Sequence, residues 1–220
     1  MGDVIRPNSA VDDIFGDGRT TLHNARARGG VIHERAETGL GPVIAMVDAV
    51  DDELRTARAA LAPLLAALHA ENDSADAVLD RVHDETWNDV GRPAQDRYLA
   101  LMYPGGTGYY TDGDTPGQPA RMELLAKLYD RALHPKIPGD KSREYARRIR
   151  EAAAALKADL DAAAAPSANV TLLERVRTAL GRVTQYELAN LKRLYKVEGL
   201  TEAQIHEIIP DRPIAKKAKP

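Results

Sequence analysis

Apolar residues recur every three or four positions over most of the chain, and no stretch sustains the period-two alternation of a strand. After Pro42 one stripe runs through Val43, Val47, Val50, Leu54, Ala57, Leu61, Leu64, Leu65 and Leu68. That spacing places them on a single face of a long helix. Pro42 suits the first turn. Pro63 falls inside and predicts a kink or break near residues 59–63. The polar run "HAENDSADA" predicts a turn, with Ser74 as the next N-cap. The helix that follows carries Val78, Leu79, Val82, Thr86 and Val90 on one face, and Gly91 and Pro93 stop it.

"AQDRYLALMY" predicts a further short helix, and Met122, Leu125, Leu128, Tyr129 and Ala132 predict one over 119–134. Residues 140–164 place Tyr145, Ile149, Ala152, Leu156, Leu160 and Ala163 on a heptad-like seam, where alanines let helices approach closely. "APSAN" predicts its end. Residues 168–196 then point Leu173, Val176, Leu180, Val183, Leu191 and Leu194 inward, and "TEAQIHEII" predicts a short capped helix. Residues 1–41 show little periodicity beyond a short helical piece at 22–36, and predict an N-terminal arm. Residues 210–220, "PDRPIAKKAKP", predict a basic flexible tail. The expected fold is all-α: an antiparallel bundle of four to five helices over 42–209, with one long Gly/Pro/Tyr-rich loop and flexible termini.

Composition agrees with that class. Aromatics are 5% of the 220 residues, and alanine and leucine carry the apolar character, which suits helices better than β-sandwiches. With no cysteine, disulfides and thiolate chemistry are excluded. No signal pattern opens the chain, and no apolar run reaches the roughly 20 residues of a membrane span, so a cytoplasmic protein without a membrane partner is expected. The net charge of −3 is unevenly spread. Residues 1–100 hold ten cations against eighteen carboxylates, and residues 170–220 ten against six.

The densest chemistry lies in "LMYPGGTGYYTDGDTPGQPARMELL", residues 101–125, with five glycines, three prolines and three tyrosines. "GGTG" is not a phosphate loop, since Tyr109 and Tyr110 stand where a lysine and a hydroxyl are needed. Tyr98, Tyr103, Tyr109 and Tyr110 are candidate ligand-binding residues, because phenol rings with polar tips line sugar, base and peptide sites. They can equally pin a long loop to a bundle. "DGDTPGQPARME" resembles an EF-hand calcium loop over twelve residues, with Asp112 at position 1, Asp114 at 3, Gly117 at 6 and Glu123 at 12. Pro116 at position 5 and Pro119 at position 8 depart from that pattern, and no second copy exists. Asp112, Asp114 and Glu123 are the candidate metal ligands, and calcium is the one cofactor the pattern offers. His83, with Asp76, Asp80 and Trp87 on its side of the helix, lacks the facing ligands of a carboxylate-bridged metal site.

Near the C-terminus, Lys192, Arg193 and Lys196 border a helix–turn–helix-like segment that raises nucleic-acid binding as an alternative. Glu202 and Glu207 on its second helix weigh against base reading. No nucleophile–base pattern stands out. The favoured expectation is therefore a non-enzymatic interaction or scaffold protein with a protein partner or self-association. The alternative is a small-ligand or calcium binder using the loop 98–123.

Overall fold

The computed structural model describes residues 10–210. Met1–Ser9 and residues 211–220, which include almost all of the expected basic tail, lie outside the described residues. The described residues form eight α-helices and no strand: α1 Val11–Arg28, α2 Gly30–Gly39, α3 Gly41–Asp89, α4 Arg97–Met102, α5 Gly108–Thr111, α6 Gln118–Asp130, α7 Gly139–Val197 and α8 Glu202–Ile208. A 3-10 turn, Thr115–Gly117, precedes α6. The all-helical expectation holds, but the helix count and the breaks differ.

α3 and α7 each absorb a predicted break. Pro63 lies within α3, and its ring and neighbours Ala62 and Ala59 are exposed. The carbonyl that loses its N–H partner is thus on the wet side, and the alanine-rich flanks have high helix propensity, which limits a cost of about 3 kcal/mol. The turn expected at "HAENDSADA" is also helix. Ala75 is fully buried there, the Asn72 amide donates to Asp76 Oδ2 at 3.3 Å, and the Gln118 amide donates to Asp76 Oδ1 at 2.6 Å. Tertiary contacts override the local turn preference of these polar residues. Likewise α7 runs through Pro166 and the whole of "APSAN".

The described residues divide into two compact units, one of residues 10–58 and 169–210 and one of 59–168. In the second unit Leu79, Val82, Met122, Leu125, Ile149 and Leu156 are fully buried in one core. The predicted seam of α7 is inside: Tyr145, Ile149, Ala152, Leu156 and Ala163 are all buried.

In the first unit, the expected arm is structured. α1 and α2 occupy most of residues 11–39, and Phe15, Ala25 and Ala36 are fully buried. Glycine and threonine make that packing possible. A Cβ at Gly18 would lie 2.9 Å from Ile44 Cδ1 and 3.1 Å from Thr184 Cγ2, and one at Gly181 would lie 3.2 Å from Val11. The inward face of α7 in this unit also differs from expectation. Leu180 and Leu191 are buried as expected, but their companions are Val170, Thr184, Leu188 and Tyr195. Val176, Val183 and Leu194 are exposed. Thr184 spends its hydroxyl on the Leu180 carbonyl at 2.9 Å, and Tyr195 donates to the Ile32 carbonyl at 3.1 Å, so both polar groups are satisfied where they are buried. The short capped helix is present: Thr201 and Gln204 form a capping box on α8, and Ile205 and Ile208 bury its apolar side.

Candidate functional site

The Gly/Pro/Tyr-rich segment of the second unit is ordered by its own polar groups. Asp96 caps α4, accepting the N–H of Tyr98 at 2.8 Å and of Leu99 at 3.1 Å. Those bonds, the one from Leu99 foremost, hold its carboxyl below the usual range. His134 Nε2 lies 3.2 Å from the same carboxylate, and the ring's Nδ1 accepts the Lys136 N–H at 3.2 Å. With Nδ1 an acceptor, the neutral ring carries its proton on Nε2, facing Asp96. Gly105 and Gly106, at φ 92° and 84°, make a turn that side chains resist.

Two of the four candidate tyrosines are core residues. Tyr110 donates its hydroxyl to the Met102 carbonyl, and the Tyr103 hydroxyl meets that of Tyr129 at 2.8 Å. Tyr129 is in turn hydrogen-bonded to Thr86 at 2.5 Å. Tyr145 extends the phenol cluster, its ring edge-on to Tyr129 and its hydroxyl donated to Asp89 at 2.7 Å. Tyr103 therefore ties the segment to α6, and Tyr110 ties it back to the end of α4. Tyr98 and Tyr109 stay near the surface. Tyr98 packs under the Arg97 guanidinium at 4.8 Å, and Tyr109 sits edge-on to Tyr110 at 5.0 Å. Tyr98 and Tyr103 share a hollow with His83, Trp87 and Asp96. His83 turns the edge of its ring to Tyr103 at 4.7 Å.

Asp112, Asp114 and Glu123 are not brought together. Asp114 accepts the Gly117 N–H at 3.1 Å, and Arg121 pairs with its carboxylate at 3.4 Å. The same guanidinium donates to the carbonyls of Asp112, at 3.1 Å, and Asp114, at 3.4 Å. A cation of the protein thus takes the oxygens that a calcium loop would offer. Glu123 points elsewhere, to Arg150 at 3.3 Å and Lys127 at 3.9 Å. Among the described residues no three His, Asp or Glu side chains converge as a metal ligand set. At the C-terminal segment, Lys192 and Lys196 are both paired with Glu202, at 3.4 and 2.5 Å.

An apolar groove of about 820 Å³ lies in the second unit. Leu65 and Leu68 of α3 form one wall, and Pro116, Pro119 and Ala120 another. Ala153, Ala154, Leu160, Ala163 and Ala164 of α7 make the floor. Charges rim it: Arg150 with Glu123, and Lys157 with Asp161 at 2.5 Å. Arg150 is also held by Asp130, so its charge is compensated on two sides. The sequence carried a signal for this groove in the surplus of alanines and the doubled Leu64–Leu65 step, which widen the apolar arc beyond one packed seam. No helix among the described residues is long and apolar enough to cross a membrane. The chain matches no protein-family model, and comparison with curated proteins and with solved structures finds no similar one.

The buried phenols make stability sensitive to alkali. Burial pushes Tyr129, Tyr110 and Tyr195 up to about 12 from an ordinary value of 10.0. Tyr103 and Tyr145 are also raised, by burial first and by neighbouring oxygens. The folded chain then binds more protons than the unfolded one between pH 10 and 12, so stability is full below 10 and falls as pH rises through that window. We expect the thermal midpoint to drop steeply there, with tyrosinate absorbance rising together with loss of helix. Tyrosinate absorbance that rises in one step with its midpoint near pH 10, with the fold intact, would show that these phenols are not buried.

Proposed function

We propose that this chain is an interaction protein, a helical scaffold whose second unit receives an amphipathic helix of a protein partner in the alanine-floored groove. The observation that carries it is the groove itself. Small residues on the floor allow a guest backbone to come close, while Leu65 and Leu68 offer an apolar wall. Helix-in-groove recognition uses this combination, with anchors at i, i+3, i+4 and i+7 on the guest. The paired charges at the rim suit the polar edge of such a helix. Short connections between the segments also favour an antiparallel arrangement of the helices within each unit. A second reading, a small amphipathic ligand, draws support from the groove's volume, which falls within the roughly 300–1,000 Å³ of small-molecule sites.

Ala154 and Ala164 line the groove but are exposed, so Ala154→Trp and Ala164→Trp should fill it without disturbing the core. The full chain would be panned against a displayed library of amphipathic helices. Captured peptides should bind each variant at least about tenfold more weakly, a loss of roughly 1.4 kcal/mol. Peptides indifferent to both substitutions would remove the groove from the interaction. Failure of every helix, with medium-chain amphiphiles binding wild type and not the variants, would favour the small-ligand reading instead.

A further inference from the structure

The first unit holds a second apolar face, unrelated to the groove. Leu172, Val176, Val183, Tyr186, Leu194 and Val197 are all exposed on α7, Tyr186 at 63% and Val197 at 83%. With Ala179 and Asn190 they follow a step of three or four residues without a gap from 172 to 197. They lie on one side of the helix, away from the buried stripe of Leu180, Thr184, Leu188, Leu191 and Tyr195. The stripe has the spacing of a coiled-coil seam, interrupted once by two successive four-residue steps at Tyr186, Asn190 and Leu194.

We propose that its partner strand is α7 of a second copy of this chain, parallel and in register. Charge complementarity selects that occupant and that direction. Arg182 borders the stripe on one side and Glu187 on the other, five residues on; past the extra residue in the step from Asn190 to Leu194, Arg193 and Glu198 repeat the arrangement eleven residues along. In a parallel pair each arginine faces the partner's glutamate five residues further along, across the twofold axis. In an antiparallel pair arginines would face arginines and glutamates glutamates. Arg182, Arg193 and Glu187 have no ion pair among the described residues, whereas Glu198 already meets Arg35 at 3.1 Å and would share it. Val176 and Val183 fall at the positions where β-branched side chains favour two strands. Asn190 falls on the seam itself, where a polar amide can pair with its own copy in the in-register dimer and fixes register at a cost in stability.

The test uses the full chain and sedimentation equilibrium. Wild type should show a monomer–dimer equilibrium. Arg182→Glu and Glu187→Arg each put like charges across the seam, and each alone should dimerise roughly tenfold more weakly or worse. A mixture of the two variants should regain wild-type affinity, because each arginine again meets a glutamate. Arg182 is exposed and Glu187 half-buried, so helicity by circular dichroism is measured for each variant, and an unchanged value excludes misfolding as the cause. Since the chain has no cysteine, Val183→Cys gives a clean report of direction. In the parallel dimer position 183 faces position 183, and mild oxidation should yield a covalent dimer. A chain monomeric to several hundred micromolar would overturn the proposal. So would a dimer indifferent to the charge changes, a Val183→Cys dimer that does not cross-link, or binding of the stripe to anionic vesicles by a chain that stays monomeric.

Discussion

Leu156→Asp is expected to remove most of the stability of the second unit. Leu156 is fully buried, and it sits on α7 among Leu125, Ile149 and Ala153 in the same core. The substitution deletes the apolar contacts of a leucine and introduces a carboxyl without a partner. Truncation alone costs about 2–5 kcal/mol at such a site. Desolvating the carboxyl adds to this, since a buried acid must either stay charged without a counter-ion or take up a proton. Set against a typical stability of about 5–15 kcal/mol, the loss is severe. Urea unfolding followed by helical ellipticity should show a transition shifted far to lower denaturant. Leu156→Ala should fall between variant and wild type. A Leu156→Asp protein as stable as wild type would mean that the α7 seam faces solvent.

Helix content and the α7 seam of the second unit were legible because they rest on periodicity, and periodicity reports which residues face a core. The helix ends were not. Pro63, Pro166 and the polar run 69–77 are local stop signals, and each sits in a helix that continues. Burial of Ala75 and the bond from Gln118 to Asp76 come from residues distant in sequence, which no local window contains. In the first unit, two candidate stripes compete along α7. The more aliphatic one, with Val176, Val183 and Leu194, is outside; the one with Thr184 and Tyr195 is inside, because hydrogen bonds satisfy those polar groups in place. Apolar pattern alone does not register such satisfaction. The loop tyrosines divide for a related reason. Tyr103 and Tyr110 reach acceptors on Tyr129 and Met102 and become anchors, while Tyr98 and Tyr109 remain at the surface. The calcium-like spacing of Asp112, Asp114 and Glu123 was legible, but Arg121, a position the pattern leaves open, fills the loop with its own charge. The groove of the second unit was missed because alanine carries too little hydrophobicity to draw attention, although small residues are what leave space.

Phe15→Ala is expected to destabilise the first unit by about 3–5 kcal/mol, the range for emptying a buried aromatic site. Residues 1–41 lack a clear apolar period, and an arm there would tolerate this change. The structure instead buries Phe15 completely, against Val47 and Val50 of α3 and Leu180 of α7. The Arg177 guanidinium lies 5.1 Å from its ring centroid, and that guanidinium is itself fixed by Asp51 at 2.6 Å and by Asp12. Removing the ring therefore opens a cavity and also takes away the surface on which a partly buried cation rests. Phe15→Leu keeps apolar volume but not the ring face, and should cost less than half as much. Urea unfolding measures both, and the midpoint for Phe15→Ala should fall by more than about 1 M. Limited proteolysis gives an independent reading, with cleavage after Arg19 or Arg26 rising in the variant and slow in wild type. An unmoved urea midpoint, together with rapid cleavage at these arginines in the wild-type chain, would show that α1 is not part of the core.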